Sequence, residues 1–263
     1  MMVLMALLLV PPGIPEAISA WRSDLERQFG VKTPIVYVGE RIQGDPEGLD
    51  LARNQLRNPD FQRQFAMMQA AMVSHRTGGT DRWVVILNMD LYESWKGYEE
   101  ALLGHELGHI WLRARRLPTP AFRGGDYGCL AVHTGDVVQH VLIRAEMDRR
   151  GIDHRGFLMK NLDDSARAME ERQAAGDPCA WARQAALWVD ARLAFAAHPW
   201  PGRARYEAAA AAMFPESGKA AAEIIDLIAG LDLDDPLVHR QALMDVFSIL
   251  SKLAVRQKDL SGR

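Results

Sequence analysis

The sequence has few cysteines, no excess of one charge and no long apolar run, and each absence excludes a class of protein. Its two cysteines, Cys129 and Cys179, are too few for a disulfide framework and lack the CxxC spacing of a structural zinc site. The formal net charge of -3 is spread over both halves, so no basic stripe indicates nucleic acid or an anionic membrane as a partner. No stretch reaches the roughly 20 apolar residues of a membrane-spanning helix. What remains is the composition of an ordinary soluble globular protein, whose partners must be inferred from a site.

The first twenty residues have the outline of a signal peptide. Met1 to Val10 is wholly apolar, and a proline-rich break followed by small residues comes next, although no Lys or Arg precedes the run. We expect residues 1–20 to be a signal or N-terminal apolar segment and the protein to be secreted or periplasmic. In that compartment the two cysteines could pair, and otherwise each is a small buried apolar residue. If the run packs on the folded domain instead, the protein is cytoplasmic.

Hydrophobic periodicity predicts alternating helices and strands in the first part of the chain. Trp21 to Phe29 reads as a short amphipathic helix, and Pro34 to Val38 as a strand. Leu49 to His75 has a helical pattern with a boundary at Pro59. The nearly continuous apolar run Trp83 to Met89 predicts a strand that is buried on both faces.

The rest of the chain is predicted to be helical. Tyr98 to Arg116 has acids in its first turn and arginines in its last, an order that complements the helix dipole, and Pro118 stops it. Leu117 to Gly128 is a loop rich in Pro and Gly, and His133 to Arg150 reads as the next helix. From about residue 158 to 255, Ala, Leu, Arg and Glu dominate, and breaks divide this stretch into four or five helices.

The segment His105-Glu106-Leu107-Gly108-His109 lies in the middle of the predicted helix Tyr98 to Arg116. Residues four apart share a helix face, so His105 and His109 can offer two imidazole nitrogens to one metal ion, with Glu106 beside them. Gly104 and Gly108 each cost about 1 kcal/mol relative to Ala in a helix interior. These two glycines are explained if a neighbouring group approaches this helix closely.

This segment resembles the zincin superfamily of zinc metallopeptidases, and more narrowly small bacterial proteins in which HELGH is followed by a loop and a second, ligand-bearing helix. The resemblance covers about Trp83 to Gly151. It implies an α+β fold with a small mixed sheet and an HExxH active helix, followed by a mainly helical C-terminal part. The expected domains are a zincin-like core over residues 21–155 and a helical extension over 156–263, with the substrate along the sheet's edge strand.

A zinc site of this type needs a third protein ligand and leaves a fourth position to water. The extended HExxHxxGxxH pattern is absent, because residue 115 is Arg. On the next helix His133, Asp136 and His140 share a face. His140 is the first candidate, since imidazole suits zinc and this helix is similar to the second helix of the HELGH proteins; Asp136 is the second candidate, as a ligand or as the group that orients one. His133 and Glu146 are weaker candidates.

The expected function is hydrolysis of peptide bonds by a zinc-bound water, with Glu106 as the general base and a peptide or protein as the substrate. An oxyanion stabiliser is also expected, and Tyr127, His133 and Arg144 are the candidates. Two alternatives stay open. One is a zinc hydrolase that acts on a non-peptide amide, and the other is a non-catalytic zinc-binding protein whose helices bind a partner.

Overall fold

A computed structural model describes residues 13–77, 80–120, 128–171 and 179–261. The chain forms two compact units, Met1–Leu107 and Gly108–Arg263. The predicted apolar segment of residues 1–20 falls largely outside the described residues, so the signal peptide stays a prediction. From Glu16 onward this segment is helical.

The first unit contains a small mixed sheet, as predicted. Its strands stand in the order β2-β1-β4-β3 and are β1 (Ile35–Val38), β2 (Ile42–Gly44), β3 (Ala70–Thr77) and β4 (Thr80–Asn88). β1 runs parallel to β4, whereas the β1–β2 and β3–β4 pairs are antiparallel. β4 is therefore a central strand, and Trp83 to Met89 is buried throughout, which confirms the prediction of burial on both faces.

Four helices and a 3₁₀ turn accompany the sheet: α1 (Glu16–Phe29), α2 (Pro46–Leu56), α3 (Pro59–Phe65), the 3₁₀ turn Met89–Leu91 and α4 (Tyr92–Trp95). Helix α1 begins before the predicted start at Trp21, because Ile18 shares a buried face with Trp21 and Leu25. On one face of the sheet, Val36 and Ile86 pack in a core with residues of α2 and α3.

The predicted helical pattern of Leu49 to His75 is wrong at its C-terminal end. Ala70–Thr77 forms β3, which pairs with β4 along its whole length. The apolar spacing that suggested a helix is outweighed by this pairing, since the backbone groups of an edge segment are satisfied by the adjacent central strand. Whether a short segment pairs in this way depends on a neighbour and not on its own residues.

Two long helices follow. Helix α5 (Glu99–Ala114) confirms the prediction for Tyr98 to Arg116, and α6 (Gly128–Arg149) begins before the predicted start at His133. The boundary between the two units falls inside α5, between Leu107 and Gly108, and the helix continues through it without a break.

The C-terminal part is helical in its described residues. It contains α7 (Arg155–Glu170), α8 (Ala180–Ala194), α9 (Arg203–Met213), α10 (Ser217–Ile228) and α11 (Pro236–Ser261). Helix α8 is mostly buried and packs against α6, α7, α10 and α11; its many alanines allow this close approach. Among the described helices, none is both long and apolar enough to cross a membrane.

A disulfide joins Cys129 in α6 to Cys179, the residue before α8. This pairing is the first of the two alternatives that the sequence left open. The bridge ties the start of α6 to the start of α8, so it fixes how these two helices are aligned along their lengths.

Candidate metal centre

The HELGH residues lie within the continuous helix α5. His105 and His109 are half-buried and one turn apart, while Glu106 is buried at 8% exposure. The helix forms here because its sequence has acids in the first turn and a basic residue in the last. The local sequence thus places two imidazoles on one side of a helix.

Helix α6 contributes a third imidazole. One ring nitrogen each of His105, His109 and His140 lies within 4.8 Å of the other two. The ring centres of His109 and His140 are 5.7 Å apart. We call these three residues the histidine cluster. It is the only such group of three or more His, Cys, Asp or Glu side chains in the part of the chain that the structure describes, and it could hold a metal ion.

Gly108 allows α5 and α6 to approach each other next to the histidine cluster. A Cβ atom at this position would lie 2.4 Å from Cγ2 of Ile143 on α6, too close for any side chain. Ile143 is fully buried and lies one turn after His140. The expectation that something approaches Gly108 closely is confirmed, and the approaching group is the helix that carries His140.

Hydrogen bonds fix which nitrogen two of the histidines can offer to a metal. Nδ1 of His109 lies 3.1 Å from Oε1 of Gln139, and Nδ1 of His140 lies 2.7 Å from Oδ2 of Asp190. Both partners are oxygen acceptors, so each Nδ1 carries a proton and donates it. The lone pair of each neutral ring is then on Nε2, which is the tautomer that a metal ligand of this kind needs.

Burial and nearby charges shift the pKa values of this site in opposite directions. Burial, reinforced by His140, lowers the pKa of His109 to about 4, so this ring is neutral at pH 7. Burial also acts to lower the pKa of His140, but the charge and hydrogen bond of Asp190 outweigh it, and that pKa is raised. Near neutral pH a larger fraction of His140 than of His109 is protonated, so metal binding must release a proton mainly from His140.

Asp190 and Gln139 are site residues that the sequence analysis missed. Burial acts to raise the pKa of Asp190, but Arg144 and His140 lower it to about 2, so the carboxylate is charged. Arg144 Nη1 donates to Asp190 Oδ1 at 2.8 Å. The signal for Asp190 is a lone acid inside the apolar run Leu187 to Ala191 of an alanine-rich helix.

Two other predicted residues lie beside the histidine cluster. Asp136 Oδ1 is 3.7 Å from His140 Nε2, and Asp136 Oδ2 is 3.6 Å from His133 Nδ1. Asp136 is thus next to the nitrogen that His140 would offer to a metal, although it is not one of the three clustered residues. His133 is held on the far side of this carboxylate and is 15% exposed.

The remaining candidates are engaged elsewhere or not described. Glu146 accepts hydrogen bonds from Arg149 and Arg150, a pairing that lowers the pKa of its carboxyl although burial acts to raise it. Arg144 is bound to Asp190, and its Nη2 is sealed from solvent, so it does not face a substrate. Tyr127 lies outside the described residues.

Comparisons with protein-family models, curated proteins and solved structures give no match to this chain. Its function is therefore inferred from the histidine cluster and its surroundings, and the resemblance of the HELGH segment to zincins stays a prediction.

Proposed function

We propose that this protein is a zinc-dependent metallopeptidase. The observation that carries the proposal is the histidine cluster, in which α5 and α6 bring one nitrogen each of His105, His109 and His140 within 4.8 Å of one another. Three protein nitrogens with a fourth position left for water is the ligand number of a catalytic zinc site, whereas structural zinc sites have four protein ligands.

The donor set fits zinc. Imidazole nitrogen is a preferred ligand of this ion, and the Nδ1 bonds of His109 and His140 leave the lone pair of each neutral ring on Nε2. A bound zinc ion would lower the pKa of a coordinated water towards 7 and polarise the carbonyl of a substrate. The protein supplies the remaining steps through its own side chains.

Glu106 is proposed as the general base. It follows His105 directly in α5, and its carboxylate takes a proton from the attacking water and delivers it to the departing amine. The side chain is buried, so bulk water is largely kept away from the carboxylate. Of the candidates for stabilising the oxyanion, His133 is the described one that remains, since Arg144 is committed to Asp190.

The test is zinc-dependent hydrolysis of casein and of a peptide library by the full chain, with and without a chelator. A Glu106→Gln variant should still bind zinc but lose at least about a hundredfold in turnover. Glu100→Gln is the matched control, because Glu100 lies in the first turn of the same helix, away from the histidines in sequence. Full activity of Glu106→Gln would refute the general-base role.

Asp136 favours one alternative function. Its carboxylate is 3.7 Å from His140 Nε2, so a small shift would make it a fourth ligand and close the site. The protein would then hold zinc without catalysis and bind a partner through its helices. Visible absorption of the cobalt-substituted protein distinguishes the two functions, because azide can bind only to a metal with an open position. Added azide should change the spectrum of a catalytic site. It should leave the spectrum of a site with four protein ligands unchanged. A chelator-sensitive activity on amides but not on peptides would identify the non-peptide hydrolase instead.

A further inference from the structure

We propose that Asp190 is a positioning residue for the third metal ligand and that Arg144 holds the Asp190 carboxylate in place. The proposal rests on the histidine cluster as the metal site of the proposed function. Neither residue would touch the metal; both act through His140.

The two oxygens of Asp190 have separate partners. Oδ2 accepts from His140 Nδ1 at 2.7 Å, and Oδ1 accepts from Arg144 Nη1 at 2.8 Å. All three side chains are nearly buried, at 10 to 12% exposure. The ring of His140 is therefore held in one orientation by a group that is itself held, and Nε2 stays on the side of the histidine cluster.

Arg144 holds the carboxylate that holds His140. The guanidinium and the imidazole bind different oxygens of Asp190, so the carboxylate cannot turn away from the ring without losing its bond to Arg144. A carboxylate that accepts from the imidazole also makes His140 a stronger electron donor to a metal. Nδ1 of His109, in contrast, pairs with the neutral amide of Gln139.

The two helices that carry this pair are also joined by the disulfide. Asp190 lies on the mostly buried helix α8, whereas His140 and Arg144 lie on α6. Cys129 and Cys179 are 50 residues apart, and so are His140 and Asp190. The disulfide and the hydrogen bond therefore link the same two helices at the same offset, three turns apart, and a slip of either helix would break the bond to His140.

The experiment compares Asp190→Ala and Asp190→Asn in the full-length protein. The zinc dissociation constant is measured by competition with a chromophoric chelator at one fixed pH, and the cobalt-substituted protein is examined by visible absorption. Asp190→Ala should weaken zinc binding by about 10- to 100-fold. Asp190→Asn should weaken it less, because an amide oxygen still accepts the hydrogen bond but carries no charge.

Glu146→Gln is the matched control. Glu146 is also a buried carboxylate on α6, but it is held by Arg149 and Arg150 and not by a histidine of the cluster. The Glu146→Gln substitution should lower the stability of the protein without changing the zinc dissociation constant or the cobalt spectrum. A merely structural role for Asp190 would give the same pattern in its own variants.

The outcomes separate this inference from the proposed function. Zinc binding by folded Asp190→Ala within twofold of the wild type overturns the positioning role. If that variant does not fold, unchanged affinity and an unchanged cobalt spectrum in Asp190→Asn overturn it equally. A wild-type protein that binds no zinc refutes the proposed function and this inference together, whereas zinc binding that depends on Asp190 but supports no hydrolysis refutes only the peptidase.

Discussion

Replacing Gly108 by alanine tests whether the spacing of α5 and α6 sets the geometry of the metal site. The added Cβ would lie 2.4 Å from Cγ2 and 2.9 Å from Cγ1 of Ile143. Carbon atoms in contact lie about 3.5 Å apart, so the two helices must separate locally by roughly 1 Å. Because His109 follows Gly108 and His140 lies one turn from Ile143, the displacement reaches both ligands.

The expected change is large for metal binding and small for stability. Ligand distances in a zinc site tolerate only about 0.2 Å, so a shift of roughly 1 Å should weaken zinc binding tenfold or more, which is about 1.4 kcal/mol. Overpacking costs about 1–3 kcal/mol, but alanine is favoured over glycine in a helix by about 1 kcal/mol. The free energy of unfolding should therefore fall by no more than about 2 kcal/mol.

Zinc competition with a chelator and denaturant unfolding measure the two quantities on the same protein. Gly128→Ala is the control, since a Cβ there meets nothing within 4 Å and should leave zinc affinity unchanged. Adding Ile143→Ala to the Gly108→Ala protein removes the two clashing carbons and should restore much of the lost affinity. Wild-type zinc affinity in Gly108→Ala would refute the argument that this glycine positions the ligands.

Three further predictions concern pH and the disulfide. Zinc affinity should fall about tenfold per pH unit once the pH drops below the raised pKa of His140, because protons then compete with zinc for this ring. His109, with a pKa of about 4, should contribute to the loss only in stronger acid. A zinc affinity that stays constant from pH 7 to 5 in chelator competition would contradict this prediction. Burial and, to a lesser extent, the charge of Arg155 lower the pKa of His154 to about 4 from its ordinary value of 6.5. Between pH 6.5 and pH 4 the unfolded chain therefore binds a proton at this residue that the folded chain does not bind. Stability should be lost as pH falls through that window, and the urea midpoint of His154→Gln should fall less than that of the wild type. The disulfide Cys129–Cys179 closes a loop of 50 residues, so its reduction should lower the free energy of unfolding by about 4 kcal/mol. An unchanged denaturant midpoint would show that helix packing alone holds the starts of α6 and α8 together.

Residues close together in the chain were predicted well, because their interactions are local. The helix of the HELGH segment follows from end charges and propensity, and once it forms, His105 and His109 must lie one turn apart. The central strand β4 followed from a continuous apolar run. His140 was predicted as a ligand because imidazole suits zinc and because its helix resembles the second, ligand-bearing helix of HELGH proteins. The structure brings His140 close to the other two histidines.

The sequence by itself determined the helix with two imidazoles and an adjacent carboxylate, and the α+β character of the chain. Only the tertiary structure decided that Ala70–Thr77 is a strand, that Cys129 meets Cys179, and that Asp190 supports His140. Each of these depends on partners far away in the chain, and periodicity carries no information about which distant segment will supply the hydrogen bond, the sulfur or the charge. A lone acid in an apolar helix signals that a partner exists, and packing alone shows which one.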